Sequence, residues 1–157
     1  MRKLQQQKLW VLEAIWWLFT LLLVMLILWP VWKNVPEYPF FAENIYFIVA
    51  FVTFTRLIFL LHMTFIGYMK WIKIFVIAVA AIMFFVMTTG LSDFHNFLNE
   101  RGLQTLVTHL HVEDQTRMME YIKSEMVFFG VGSIIAGIAL PIRMIVSLWR
   151  MKNRGTV

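Results

Sequence analysis

Residues 45–66 read IYFIVAFVTFTRLIFLLHMTFI. The stretch is apolar and long enough to cross the hydrocarbon core of a bilayer, which takes about 20 residues of helix. Arg56 lies near its middle. A charge at that depth costs about 3 kcal/mol on insertion scales, so it faces protein or water rather than lipid. The stretch therefore predicts a membrane-spanning helix with one expensive residue, whose partner must lie elsewhere in the chain or on another subunit.

Three further apolar runs flank it. Residues 9–29 contain Glu13 and Thr20 as their only polar residues, and residues 71–90 carry no charge after Lys73. Residues 126–149 include Gly130, Gly132, Ser133, Gly137, Pro141 and Arg143. The expected fold is an all-α integral membrane protein, a single domain of four transmembrane helices over 9–29, 45–66, 71–90 and 126–149. Trp10 and Trp29 bracket the first helix at roughly 28 Å, which fits interfacial aromatic belts. That run is longer than the apolar region of a signal peptide and no A-x-A site follows, so it is expected to stay in the mature protein.

The connections differ in character. Pro30 to Asn44 holds three prolines and reads as an irregular outer loop. Gly67 to Lys70 reads as a tight turn that makes helices two and three antiparallel neighbours. Residues 91–125 form a long extracytoplasmic segment, in which Ser92 is placed to cap a short helix. Its stretch LQTLVTHLHV is ambiguous between helix and extended chain. From Asp114 the chain is expected to turn helical and run into the fourth membrane helix, extending it outward.

Charge sets the orientation. Arg2, Lys3, Lys8, Lys70, Lys73, Arg143, Arg150, Lys152 and Arg154 fall on one side with no acid among them. The other side carries Glu37, Glu43, Asp93, Glu100, Glu113, Asp114, Glu120 and Glu125 against only Lys33, Arg101, Arg117 and Lys123. This is the positive-inside pattern and predicts both termini in the cytoplasm. It also accounts for the net charge of +5 without nucleic acid as a partner. At 61% hydrophobic and 15% charged, the chain is far from a soluble domain, where about a quarter of residues are charged. Compact loops and this charge bias fit a bacterial cytoplasmic (inner) membrane. With no cysteine, disulfides, thiolate metal sites and a cysteine nucleophile are excluded.

Glu13 is the one acid in the membrane region, about 9 Å in depth from Arg56 by helix rise. Three readings follow: an ion pair joining helices one and two, a site for an anionic or carbonyl-bearing ligand such as a lipid head group or quinone, or a contact with an acid of another subunit. His62 lies at the depth of Glu13, but Arg56 points some 120° away from it around the helix. A haem held within this chain lacks a second membrane histidine. His109 and His111 would share a face in an extended strand, with His95 nearby as a further weak metal candidate. Gly130, Ser133, Gly137 and Pro141 form a small-residue stripe that suits helix packing in the bundle or against a partner.

No nucleotide-binding, hydrolase or metalloprotease motif occurs, so an enzyme is not expected. The leading expectation is a non-catalytic accessory subunit of a larger respiratory, secretion or transport assembly, with membrane lipids and other integral membrane subunits as partners. Two alternatives differ in class: a homo-oligomeric pore with Arg56 near the pathway, and a quinone- or lipid-binding anchor near Arg56 and His62.

Overall fold

The computed structural model describes residues 2–154, with side chains from Gln7 to Asn153. The side chains of Arg2, Lys3 and Arg154, three of the bases behind the charge argument, lie outside that range. Helices α1 (Arg2–Asn34), α2 (Phe41–Phe59), α3 (Lys70–Glu100), α4 (Gln104–Val107) and α5 (Val112–Arg154) make up the fold, with two 3₁₀ turns between α2 and α3. Among the described residues there is no strand. Helices α1, α2, α3 and α5 are each long and apolar enough to cross a membrane. The protein is an all-helical integral membrane protein with four candidate spans.

Helix α5 is the axis of the bundle. Both α2 and α3 pack mainly on α5 and meet each other over a shorter stretch. The reason is the composition of α5. Gly130 lies against Leu91 and Phe47, Gly132 against the Phe51 ring, and Gly137 against Met87 and Phe54. A β-carbon at Gly132 would come within 2.8 Å of that ring. Small residues let two helices approach one side of α5 each. Between them, Phe47, Met87, Ile122, Met126, Leu140 and Met144 are fully buried. Helix α1 is peripheral, and its packing centres on Leu28 against Ile48 and Val52 of α2.

Several boundaries differ from the sequence reading. Helix α1 continues through Pro30 to Asn34, so the outer loop begins five residues late. Proline removes an amide donor and crowds the carbonyl four residues back, but only one further turn follows it, and the Asn34 side chain donates to the Pro30 carbonyl at 2.9 Å. Helix α3 runs past Gly90 to Glu100, and Ser92 lies inside it rather than capping a new helix. Gly90 is a close-approach glycine, since a β-carbon there would collide with the Tyr46 hydroxyl. The end comes at Gly102, where φ is +70° and the amide bonds back to Phe97 at 3.0 Å, a glycine-terminated helix. Segment 103–112 is one helical turn, α4, and then a turn leading to Val112, two residues before Asp114. Glu113 and Asp114 occupy the first turn of α5, where acids favour the positive end of the helix. From there α5 is continuous for 43 residues.

The largest departure is α2. It begins four residues earlier than expected and ends at Phe59, and the chain then forms 3₁₀ turns at Leu61–Met63 and Phe65–Tyr68. No proline or glycine stands at the break. The cause is a distant residue: Arg143 of α5 donates from Nε to the Ile58 carbonyl at 2.9 Å. In a continuous helix that carbonyl would take the His62 amide. Thr64 Oγ1 supports the turn by donating to Leu61 at 2.8 Å. Irregular backbone at membrane depth is tolerated where protein satisfies its polar groups.

Arg143→Met removes the donor that holds the Ile58 carbonyl. Its unfolding free energy in detergent is expected to fall by about 1–3 kcal/mol, the cost of leaving a buried acceptor unsatisfied. The exposed Arg150→Met should stay within about 0.5 kcal/mol of the parent.

Candidate functional site

Three polar groupings interrupt the apolar bundle. The first joins α1 to α2. Arg56 Nη1 donates to Glu13 Oε2 at 2.8 Å, with Arg56 only 7% exposed and Glu13 19%. The guanidinium also sits over the Trp16 ring, 5.2 Å from its centroid. Glu13 and Trp16 are three apart on α1 and so share a face; one binds the cation by charge and hydrogen bond, the other by its ring. Thr20 completes the face, its hydroxyl turned back onto the Trp16 carbonyl at 2.9 Å. The Trp16 indole nitrogen is buried without a hydrogen-bond partner. Among the described residues this is the one ion pair.

His62 does not join that site. It lies in the first 3₁₀ turn with its side chain exposed, and its carbonyl accepts from the Tyr68 hydroxyl at 3.0 Å. The outer histidines are also separate. His109 ring nitrogen Nε2 meets the Asn34 carbonyl at 2.8 Å, tying the loop to the end of α1. His95 and His111 are exposed, on α3 and just before α5. Among the described residues no group of three or more His, Cys, Asp or Glu is placed to hold a metal ion. The small-residue stripe lies within the bundle: Gly130, Ser133 and Gly137 are buried, and Pro141 is half-buried.

The second grouping was not singled out by sequence. Lys73 of α3 is fully buried and donates to Ser147 Oγ of α5 at 2.7 Å. Its place in the first turn of a helix makes it look like one more topology-setting base. Only the depth of Ser147, a small residue in the last apolar run, could have signalled a partner.

The third grouping, also missed, joins α2 to α5, with Tyr38 of the preceding loop near enough to feel the Glu125 charge. The Asn44 amide donates to the Glu125 carboxylate. Asn44 is fully buried, Glu125 is 8% exposed and Tyr38 is 3% exposed. One oxygen of each remains without a hydrogen-bond partner: Asn44 Oδ1, Glu125 Oε2 and the Tyr38 hydroxyl. Burial, then the charges of Glu125 and Glu43, push the Tyr38 phenol well above its ordinary range. It therefore stays protonated at physiological pH. Asn44 and Glu125 each lie one residue outside an apolar run, where a polar residue reads as interfacial.

An apolar cleft of about 570 Å³ opens between α1 and the start of α2, lined by Val24, Leu28, Trp29, Trp32, Phe41 and Ile45. It sits toward the opposite end of α1 from Glu13 and so is separate from Arg56. No family model, curated protein or solved structure matches the chain; its class is the one the fold defines, an all-helical membrane protein with four candidate spans.

Arg56→Leu leaves Glu13 without its cation and is expected to lower stability in detergent by about 1–3 kcal/mol. Adding Glu13→Leu should restore most of the loss, because an apolar pair replaces the ion pair without an orphaned charge. Thermal unfolding of the two variants checks both. The same logic applied to the second grouping gives an asymmetry. Ser147→Ala strands the Lys73 ammonium and costs about 1–3 kcal/mol, whereas Lys73→Met is close to neutral.

Proposed function

We propose that this chain is a non-catalytic subunit of a larger membrane assembly, with both termini in the cytoplasm, and that it stabilises the transmembrane helices of its partners. A bacterial inner membrane is the setting this reading assigns, from the charge bias of the sequence. The observation that carries it is α1. That helix packs on the bundle along one edge, and its remaining surface exposes Trp10, Trp17, Leu22, Leu26, Trp29 and Trp32. An aromatic-rich helix, fixed toward one end by a charged link to the last turn of α2 and otherwise free along much of its length, is suited to lie between a bundle and a neighbouring subunit.

The pore alternative draws less support. Arg56 is engaged by Glu13 and Trp16, so its charge is not offered to a passing ion. The interior of the bundle is filled by large apolar side chains, so conduction would need a path between protomers. The quinone- or lipid-anchor alternative has its apolar cleft, but away from Arg56 and His62.

The test is the composition of the particle released when the tagged chain is extracted mildly from its native membrane. Foreign integral subunits at fixed stoichiometry are expected by native mass spectrometry. A particle made only of copies of this chain would sink the subunit reading and return attention to the pore.

A further inference from the structure

The third grouping carries an inference independent of the subunit reading. Glu125 is a nearly buried carboxylate that no ion pair reaches among the described residues. Its one hydrogen-bond partner there is a neutral amide, Asn44. Lys123, the nearest base along α5, is exposed and points away at two residues' separation. The other titratable groups electrostatically coupled to this site are Tyr38, Tyr121 and Glu43. Tyr121 is turned away, donating to the Ile27 carbonyl at 2.7 Å. None of these supplies a positive charge.

A buried charge is neutralised by a partner, an ion or a proton. Three buried oxygens, from the loop, α2 and α5, stand without partners here. Orphaned buried polar groups are rare in folded proteins, and one recognised cause is a bound water or ion. A proton on Glu125 would cancel the charge and let Oε2 donate to one further oxygen, leaving the third without a partner. A cation able to take several oxygen ligands would serve all three. The donor set is a carboxylate, an amide oxygen and a phenol oxygen, which are hard ligands that suit alkali and alkaline-earth ions rather than soft metals. Its net charge is −1, which one monovalent ion balances.

We propose that Tyr38, Asn44 and Glu125 form a binding site for a monovalent hard cation, with sodium as the ion of matching charge and ligand preference. The ion would bridge the loop before α2 to the outer part of α5, and so lock together two elements that, among the described residues, share no ion pair.

The full-length protein in detergent, melted in sodium chloride and in N-methyl-D-glucamine chloride at equal ionic strength and neutral pH, tests this. Sodium is expected to raise the midpoint saturably, by roughly 3–5 °C at ten times its dissociation constant. Glu125→Gln should abolish the response. Tyr38→Phe keeps the ring packing and removes one ligand oxygen, so half-saturation should need about tenfold more sodium while the midpoint without sodium changes little. Should Glu125→Gln fail to fold, Tyr38→Phe carries the test. Equal midpoints in the two salts would overturn the proposal. So would stabilisation by acid alone, which would mean that a proton neutralises Glu125, or calcium saturating well below sodium, which would mean a divalent site.

Discussion

A bilayer core offers no hydrogen-bond partners, so every polar group this chain carries into it must be satisfied by the chain itself or by something bound to it. That constraint explains most of what is irregular in the structure. Arg56 reaches α1 because the lipid gives it nothing, and it takes both a carboxylate and an aromatic face there. Lys73 takes Ser147. The freed carbonyl at the end of α2 takes Arg143. Each link joins a different pair of helices, α1 to α2, α3 to α5 and α5 to α2. Between apolar helices in apolar solvent there is little hydrophobic driving force for association, so packing and these few polar links fix which faces meet.

The same constraint divides the bundle into a tight part and a loose one. Around α5, glycines admit the rings of Phe47, Phe51 and Phe54 to the helix backbone, and dispersion at close range holds α2 and α3 in place. Helix α1 has no glycine or serine to offer. It meets α2 with bulky side chains, at a shorter seam, and the ion pair is its one charged anchor among the described residues. Contact surface follows residue size here: the smallest residues make the most extensive interface.

Much of this architecture was legible in the sequence, and the reasons differ by element. Four apolar runs of membrane-spanning length predict four helices on length and composition, and the structure has four helices of that kind. Helix rise leaves about 9 Å of depth between Glu13 and Arg56 and three readings of the arginine open, and the count runs along a helix that in the structure ends at Phe59. The break in α2 could not be read, since Leu60 carries no breaker signal and the cause stands more than eighty residues away at Arg143. Gly90 misled for the opposite reason. Glycine marks a helix end or a close approach, and only the position of Tyr46 tells which. Gly102 marks a true end, and its positive φ is the difference between the two. Tyr38, Asn44 and Glu125 were hidden by position. Asn44 and Glu125 sit at the rim of an apolar run and Tyr38 in a loop, where burial depends on what the neighbouring elements cover.

The internal pairing of Arg56 changes what an expensive residue implies about function. An intramembrane arginine facing open space would point to a ligand or an ion path. Paired within the chain, its charge is spent on holding α1 to the bundle. Function must then be sought where the chain has not satisfied itself. Beside the lone Trp16 indole nitrogen, two such places are visible: the free length of α1 and the three unpartnered oxygens at Tyr38, Asn44 and Glu125. The first is apolar, long and unsaturated only in the sense that any membrane surface can exchange lipid for another helix. The second is polar, compact and buried, and lipid cannot satisfy it. A partner subunit can therefore complete α1, while only a small hydrophilic species can complete the oxygen cluster, so the two belong to separate properties of the protein.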